Sequence, residues 1–166
     1  MLGIFKAGRA LTISNQSKME LLLTQIELPN DVAPHFKAGE LQKVVVYKKR
    51  KHWDFHIKTE DPLPFHAYYS LMQHMKRSFS NIADVDTVLT ASEQVMEEKE
   101  LDLYWRYYIT TLHDLLPSHV ARLEAAQIND RQLHIIVGSK AEAVTLQKKI
   151  EHSWPTFFER CNVGRL

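Results

Sequence analysis

The residues best suited to chemistry are few, and most lie on short alternating stretches. His52, Asp54 and His56 share one strand face, and Asp84 and Asp86 share another. Histidines and carboxylates are ligands for zinc or iron, but three ligands along one strand span about 13 Å and do not converge on one ion. Asp84 and Asp86 form a pair that a metal would accept, yet alternating carboxylates on a strand are ordinarily solvated. Ser118-His119 and Ser139 contain nucleophile and base types, but no oxyanion or acid partner is readable, and a helix cap explains each serine. Cys161 sits on an apolar helical stretch and reads as a packing residue. The five glycines are too scattered for a Gly-x-Gly-x-x-Gly turn or a phosphate-cradling loop. No catalytic residue, metal site or cofactor is therefore expected.

Two clusters suit binding instead. Lys48, Lys49, Arg50 and Lys51, beside Tyr47 and Trp53, form a basic–aromatic group that would contact phosphate or an acidic partner if it protrudes on a loop. The run Tyr104-Trp105-Arg106-Tyr107-Tyr108 lies on a helix whose successive residues are about 100° apart. One helix face cannot bury all four aromatics. Tyr104, Trp105, Tyr107 and Tyr108 are thus candidates for a partner surface, with packing between lobes as the plainer reading.

The elements that position these groups follow from periodicity. Leu41 to Lys58 reads as a hairpin with the basic residues in its loop. Trp53, Phe55 and Ile57 face a core, and Asp54, His56 and Lys58 face solvent. Trp53 is expected under the helix after Pro64, with Phe55, Ile57 and Tyr68 or Leu71 as neighbours. Ser17 and Glu20 have the form of a capping box opening a helix from about Lys18 to Glu27, and a helical turn follows around 33–37. Phe65, Tyr68, Leu71 or Met72, Met75 and Phe79 make the apolar stripe of a second helix. Ile82 to Thr90 alternates as a third strand. The acidic stretch 92–100 suits a boundary.

Beyond it, a helix is expected over about 100–116, ended by Pro117, with Ser118 capping a shorter one. A turn at Asn129-Asp130, a strand over Leu133–Val137 and a helix opened by Ser139 and Glu142 complete the set, with Pro155 breaking or kinking the last. The fold class is α+β. It comprises a flexible leader (1–16), a strand–strand–helix–strand lobe (17–91) and a helix–helix–strand–helix lobe (92–166), the last cut short before a following strand.

Bulk properties narrow the function. The chain has 166 residues, 45% apolar and 25% charged, with a net charge of +1. That length and composition favour a packed core and supply no global field toward nucleic acid or membrane. A lone cysteine fits a reducing cytoplasm. No apolar run of about 18 residues is present, so no membrane span is expected.

Four ordered motifs carry a family resemblance. They are Gly-Glu-Leu-x-Lys-Val-Val-Val from Gly39, Lys-x-Trp-x-Phe-His-Ile from Lys51, Leu-Pro-Phe from Leu63, and Ser-Phe-Ser-Asn-Ile-Ala-Asp-Val from Ser78. With Tyr104-Trp105 and the Leu-His-Ile-Ile-Val stretch from Leu133, they resemble the N-terminal domain of the PolC-type DNA polymerase III alpha subunit over roughly residues 19–161. The second lobe more weakly resembles the C-terminal domain of the clamp-loader tau subunit, a truncated KH-like fold. It lacks the Gly-x-x-Gly loop expected of a working KH module.

The resemblance implies a non-catalytic piece of a DNA-directed DNA polymerase with proofreading exonuclease activity. It also implies a protein-interaction role in the replisome, with tau as first candidate partner. The competing readings are an accessory domain making weak single-stranded DNA contact through the basic loop, and an independent small enzyme, which the missing acid–base set disfavours.

Overall fold

The computed structural model describes residues 14–92 and 96–162, together with the backbone of a two-residue antiparallel ladder, Phe5–Lys6 (β1) with Arg9–Ala10 (β2). Most of the expected leader lies outside the described residues, but its end does not. Helix α1 covers Asn15–Ile26 and begins a turn earlier than the Ser17 capping box implied. Ser14 is the cap: it is extended, and its hydroxyl accepts from the Ser17 amide at 3.1 Å. Ser17 is left inside the first turn.

A 3-10 turn, Ala33–Phe36, leads into the sheet. Gly39 is required there by space, since a Cβ would stand 2.9 Å from the Phe36 carbonyl oxygen and 3.3 Å from that of Lys58. Strands β3 (Glu40–Tyr47) and β4 (His52–Thr59) pair antiparallel, with Val46 opposite Trp53 and Tyr47 opposite His52. Helix α2 (Phe65–Phe79) then returns the chain so that β5 (Asp84–Ala91) lies parallel to β4 in the order β3-β4-β5. The α2 stripe is as periodicity requires: Tyr68, Leu71, Met72, Met75 and Phe79 are all buried. Phe55, Ile57, Val85 and Leu89 meet them in one core.

Two expectations about β4 need correction. Trp53 is half-buried near the hairpin end, packed on Phe55 and Phe79 at centroid distances of 6.3 and 5.8 Å. Asp54 does not face solvent: it is 4% exposed. Alternation fixes which residues share a face, but it cannot reveal that a distant element covers the polar one.

The second half is α3 (Glu98–Thr111), α4 (Pro117–Glu124), β6 (Gln127–Asn129), β7 (Gln132–His134) and α5 (Lys140–Cys161). Helix α3 ends five residues before the expected Leu116. Leu112 is already extended, and Asp114 has φ 61°. Pro117 opens α4 at its first turn, where its missing N–H is harmless, so Leu116 and not Ser118 occupies the cap position. The expected strand is a hairpin instead. Asp130 and Arg131, with φ of 50° and 60°, make the two-residue turn between β6 and β7, and the strand stops at His134, short of Val137. Ser139 caps α5 as expected, accepting from the Glu142 amide at 3.1 Å. The helix continues through Pro155 to Cys161, so that proline does not end it.

Buried residues of both halves form one contiguous cluster. The link is physical at α2, whose first amide, Phe65 N–H, donates to the Glu100 carboxylate of α3 at 2.8 Å. A negative charge there also suits the helix dipole. Leu71→Ala is expected to cost about 2–5 kcal/mol as a core truncation, whereas half-buried Trp53→Ala costs about 2 kcal/mol. Urea unfolding of the two variants checks this order, and a larger loss at Trp53 would contradict it.

Candidate partner-binding surfaces

The aromatic run resolves first. Tyr104, Trp105 and Tyr108 are buried. Each sends its polar atom to a different element. The Tyr104 hydroxyl donates to Leu63 O at 2.8 Å, the Trp105 indole N–H to Leu123 O at 3.0 Å, and the Tyr108 hydroxyl pairs with Ser153 Oγ at 2.5 Å. Tyr107 is half-buried among Phe65, Tyr68, Tyr69 and Phe157. The helix is enclosed by α2 on one side and by α4 and α5 on the others. Arg106, paired with Asp102 at 3.1 Å, is the exposed residue of this run, and Tyr107 keeps part of its surface in solvent. Three of the four candidate partner residues are therefore core residues, and a partner cannot reach them in this fold.

Sequence reasoning missed the charged cluster on the second face of the sheet. Arg160 of α5 reaches Asp54 with a guanidinium hydrogen bond and lies 3.5 Å from Asp86. His52 sits between two carboxylates, Nε2 at 2.7 Å from Asp54 and Nδ1 at 3.4 Å from Asp84. Burial alone would raise the Asp54 pKa, but hydrogen bonds and charge from Arg160 and His52 outweigh it and hold the carboxyl below its ordinary value. Asp86 goes the other way: burial raises it more than the Thr87 amide and Arg160 lower it. His56 is lowered by burial and by Lys43. No signal in the sequence joins Arg160 to Asp54, because they are 106 positions apart.

Arg160, Asp86, Lys76, Tyr107 and His152 also line a cleft of about 530 Å³ between α2, α3 and α5. No group of three or more metal-ligating side chains converges among the described residues. Nearby Cys161 is buried, and burial pushes its thiol up to about 12, so it remains neutral and unreactive.

Three surfaces remain open. The Lys48–Lys51 loop is exposed, and Arg50 lies 4.2 Å over the Tyr47 ring. An apolar pocket of about 300 Å³ opens at the base of that loop, between the sheet and the ends of α1 and α2. In the second half, Gln132, Leu133 and His134 of β7 and Ile150, Glu151, Trp154 and Pro155 of α5 line a groove of about 600 Å³. No third strand among the described residues pairs with β7. Ile136 follows it, 82% exposed.

These features define a mixed α+β fold in which no group of three or more metal-ligating side chains converges among the described residues. Residues 18–89 match the family model described as DNA polymerase III polC-type N-terminus I, and that segment belongs to the family. The chain is 31% identical over 150 residues, 89% of its length, to DNA polymerase III PolC-type of Oceanobacillus iheyensis. It is 28% identical to the proteins so named in Latilactobacillus sakei and Halalkalibacterium halodurans, over 71% and 81% of its length. The chain spans about a tenth of the length of these relatives: 10%, 9% and 10%. No solved structure gives a significant match.

The buried ion cluster makes a testable claim. Removing Arg160 leaves a nearly buried carboxylate without its main partner, so Arg160→Ala is expected to cost about 2–3 kcal/mol, toward the low end because the arginine is partly solvated. Because the folded Asp54 pKa is depressed, its contribution is full above the unfolded value of about 4 and fades as pH falls through the folded value. The stability gap between wild type and Asp54→Asn should therefore narrow on acidification from pH 5 to pH 2, measured by denaturant titration. A gap constant across that range would contradict the assignment.

Proposed function

We propose that this chain is a non-catalytic attachment domain of a PolC-type replicative polymerase, joining the enzyme to another replisome protein, with the clamp-loader tau subunit as first candidate. The parent protein would be a cytoplasmic DNA-directed DNA polymerase with proofreading exonuclease activity carried outside these residues. The similarity to PolC-type chains supports that address. We read residues 17–91 and 92–166 as its two lobes, the second KH-like.

The observation that carries an attachment role is the groove between β7 and α5. Interfaces need apolar anchors with hydrogen-bonding groups around them. Leu133, Ile150, Trp154 and Pro155 supply an apolar floor, Gln132, His134 and Glu151 a polar rim, and Ile136 an exposed aliphatic side chain nearby. This keeps the partner surface on the second lobe, on the Leu133 strand and α5 and not on the tyrosines of α3, with Trp154 of the groove packed on Trp105 and Tyr108. The short β7 edge adds backbone groups that an incoming strand would satisfy.

Single-stranded DNA contact through Lys48, Lys49 and Lys51 is the second reading, favoured by their exposure. A few surface lysines give weak binding that falls steeply with salt, which is a poor tether. Arg50 is moreover engaged with Tyr47.

The test measures tau binding by calorimetry. Ile136→Asp combined with Glu151→Arg should weaken it about tenfold or more, and both positions are exposed enough to leave folding intact. Reversing charge over Lys48–Lys51 should leave it unchanged. The opposite pattern would sink the second-lobe assignment. The purified chain should also incorporate no nucleotide with any divalent metal, and incorporation would refute the non-catalytic reading.

A further inference from the structure

The pocket at the base of the hairpin combines two properties that neither the fold nor the proposed attachment role explains. It is lined by Leu22 and Gln25 of α1, Val44, Val46, Trp53 and Phe55 of the sheet, with Phe79 and Ile82 closing the far side. Val46 is 46% exposed and Ile82 55%, so an apolar floor is flanked by an apolar rim open to water. A volume near 300 Å³ is at the lower end for a ligand site and suits one large apolar side chain or two small ones.

Charge surrounds it on one side only. Val44, Val46 and Trp53 line the pocket, and the exposed turn Lys48–Lys51 connects the strand ends that carry Val46 and Trp53, which puts its lysines at that end of the pocket. The Lys51 amide closes the loop onto Lys48 O at 3.3 Å, keeping the two lysines together. Arg50 is committed to the Tyr47 ring, while Lys48, Lys49 and Lys51 have no ion-pair partner among the described residues. The carboxylates at this end of the sheet are already engaged: Asp84 and Asp54 pair with His52.

We propose that this pocket and the hairpin lysines together bind a short acidic peptide segment of a partner protein, with an apolar side chain seated between Val46, Trp53 and Ile82. Its carboxylates lie along Lys48, Lys49 and Lys51. Charge complementarity selects this occupant. An apolar peptide would leave three lysines beside it without counter-charge, and a nucleic acid strand would place phosphates well but offer nothing for the aliphatic walls. Electrostatic attraction would set the association rate, and the apolar anchor the residence time.

The experiment uses the 166-residue chain. A fluorescein-labelled peptide of aspartates around one Leu-Phe pair, an all-aspartate control and oligothymidylate are titrated by fluorescence anisotropy. The Leu-Phe peptide should bind, and the all-aspartate control should bind at least about tenfold more weakly. Ile82→Asp and, separately, Lys48→Glu with Lys51→Glu should each reduce Leu-Phe peptide binding by a similar factor, with circular dichroism confirming that each variant is folded. Val46→Asp serves if Ile82→Asp does not fold. Failure of the Leu-Phe peptide to bind overturns the proposal, as does binding indifferent to the pocket variants. Tighter binding of oligothymidylate than of the Leu-Phe peptide overturns it too, and would mark the loop as a phosphate reader. None of these outcomes bears on the groove between β7 and α5, which the variants leave intact.

Discussion

The structure depends on how the buried face of one helix is satisfied. Helix α3 places Tyr104, Trp105 and Tyr108 in the core, and each ring brings a polar atom that must find a partner once water is excluded. The three partners come from the loop before α2, the end of α4 and the middle of α5. Satisfying all three fixes where those elements sit relative to one another. The rings add edge and tilted contacts with Trp154, Phe157, Phe65 and Tyr68, so direction as well as burial is specified. A helix used this way is a mandrel, and the two halves of the chain are wound onto it.

The second tie is electrostatic and lies on the other side of the sheet. A three-stranded sheet with helices on one face would normally present a polar face to water. Here Arg160 arrives from α5 and turns Asp54 into a buried, paired carboxylate. Such a pair adds little net stability compared with an apolar substitute, because both ions lose hydration. What it adds is register: α5 cannot slide along β5 without stranding a charge. Asp86, raised by burial where Asp54 is lowered, shows how sharply the surroundings change across two adjacent strands.

Local signals were legible and long-range ones were not. The stripe of α2, the alternation of β5, the basic loop and the Ser139 cap all follow from spacing within a few residues. The misreadings have a common form. Asp54 was placed by alternation, which knows nothing of a residue 106 positions away. The aromatic run of α3 follows the plainer of its two readings, packing, because the helix has partners on several sides. Ser17 and Ser118 have the residue type and spacing of caps, but Ser14 and Leu116 occupy the cap positions, with Pro117 opening α4. The β6–β7 hairpin was half seen, because three-residue strands are too short for a period to show. The pocket beside the basic loop was beyond reach altogether, since it is assembled from α1, the sheet and the turn after α2.

The Arg160–Asp54 contact also has a consequence in time. During synthesis the sheet strand bearing Asp54 leaves the ribosome long before its partner does. At ordinary elongation rates a separation of 106 residues corresponds to a wait on the order of 5–20 s. Through that interval β3, β4 and β5 can pair and α2 can cover their apolar face, but Asp54 has only His52 and water. The nascent chain thus passes through a state in which the apolar face of the sheet is packed while Asp54 is still hydrated, until α5 emerges and Arg160 pairs with it.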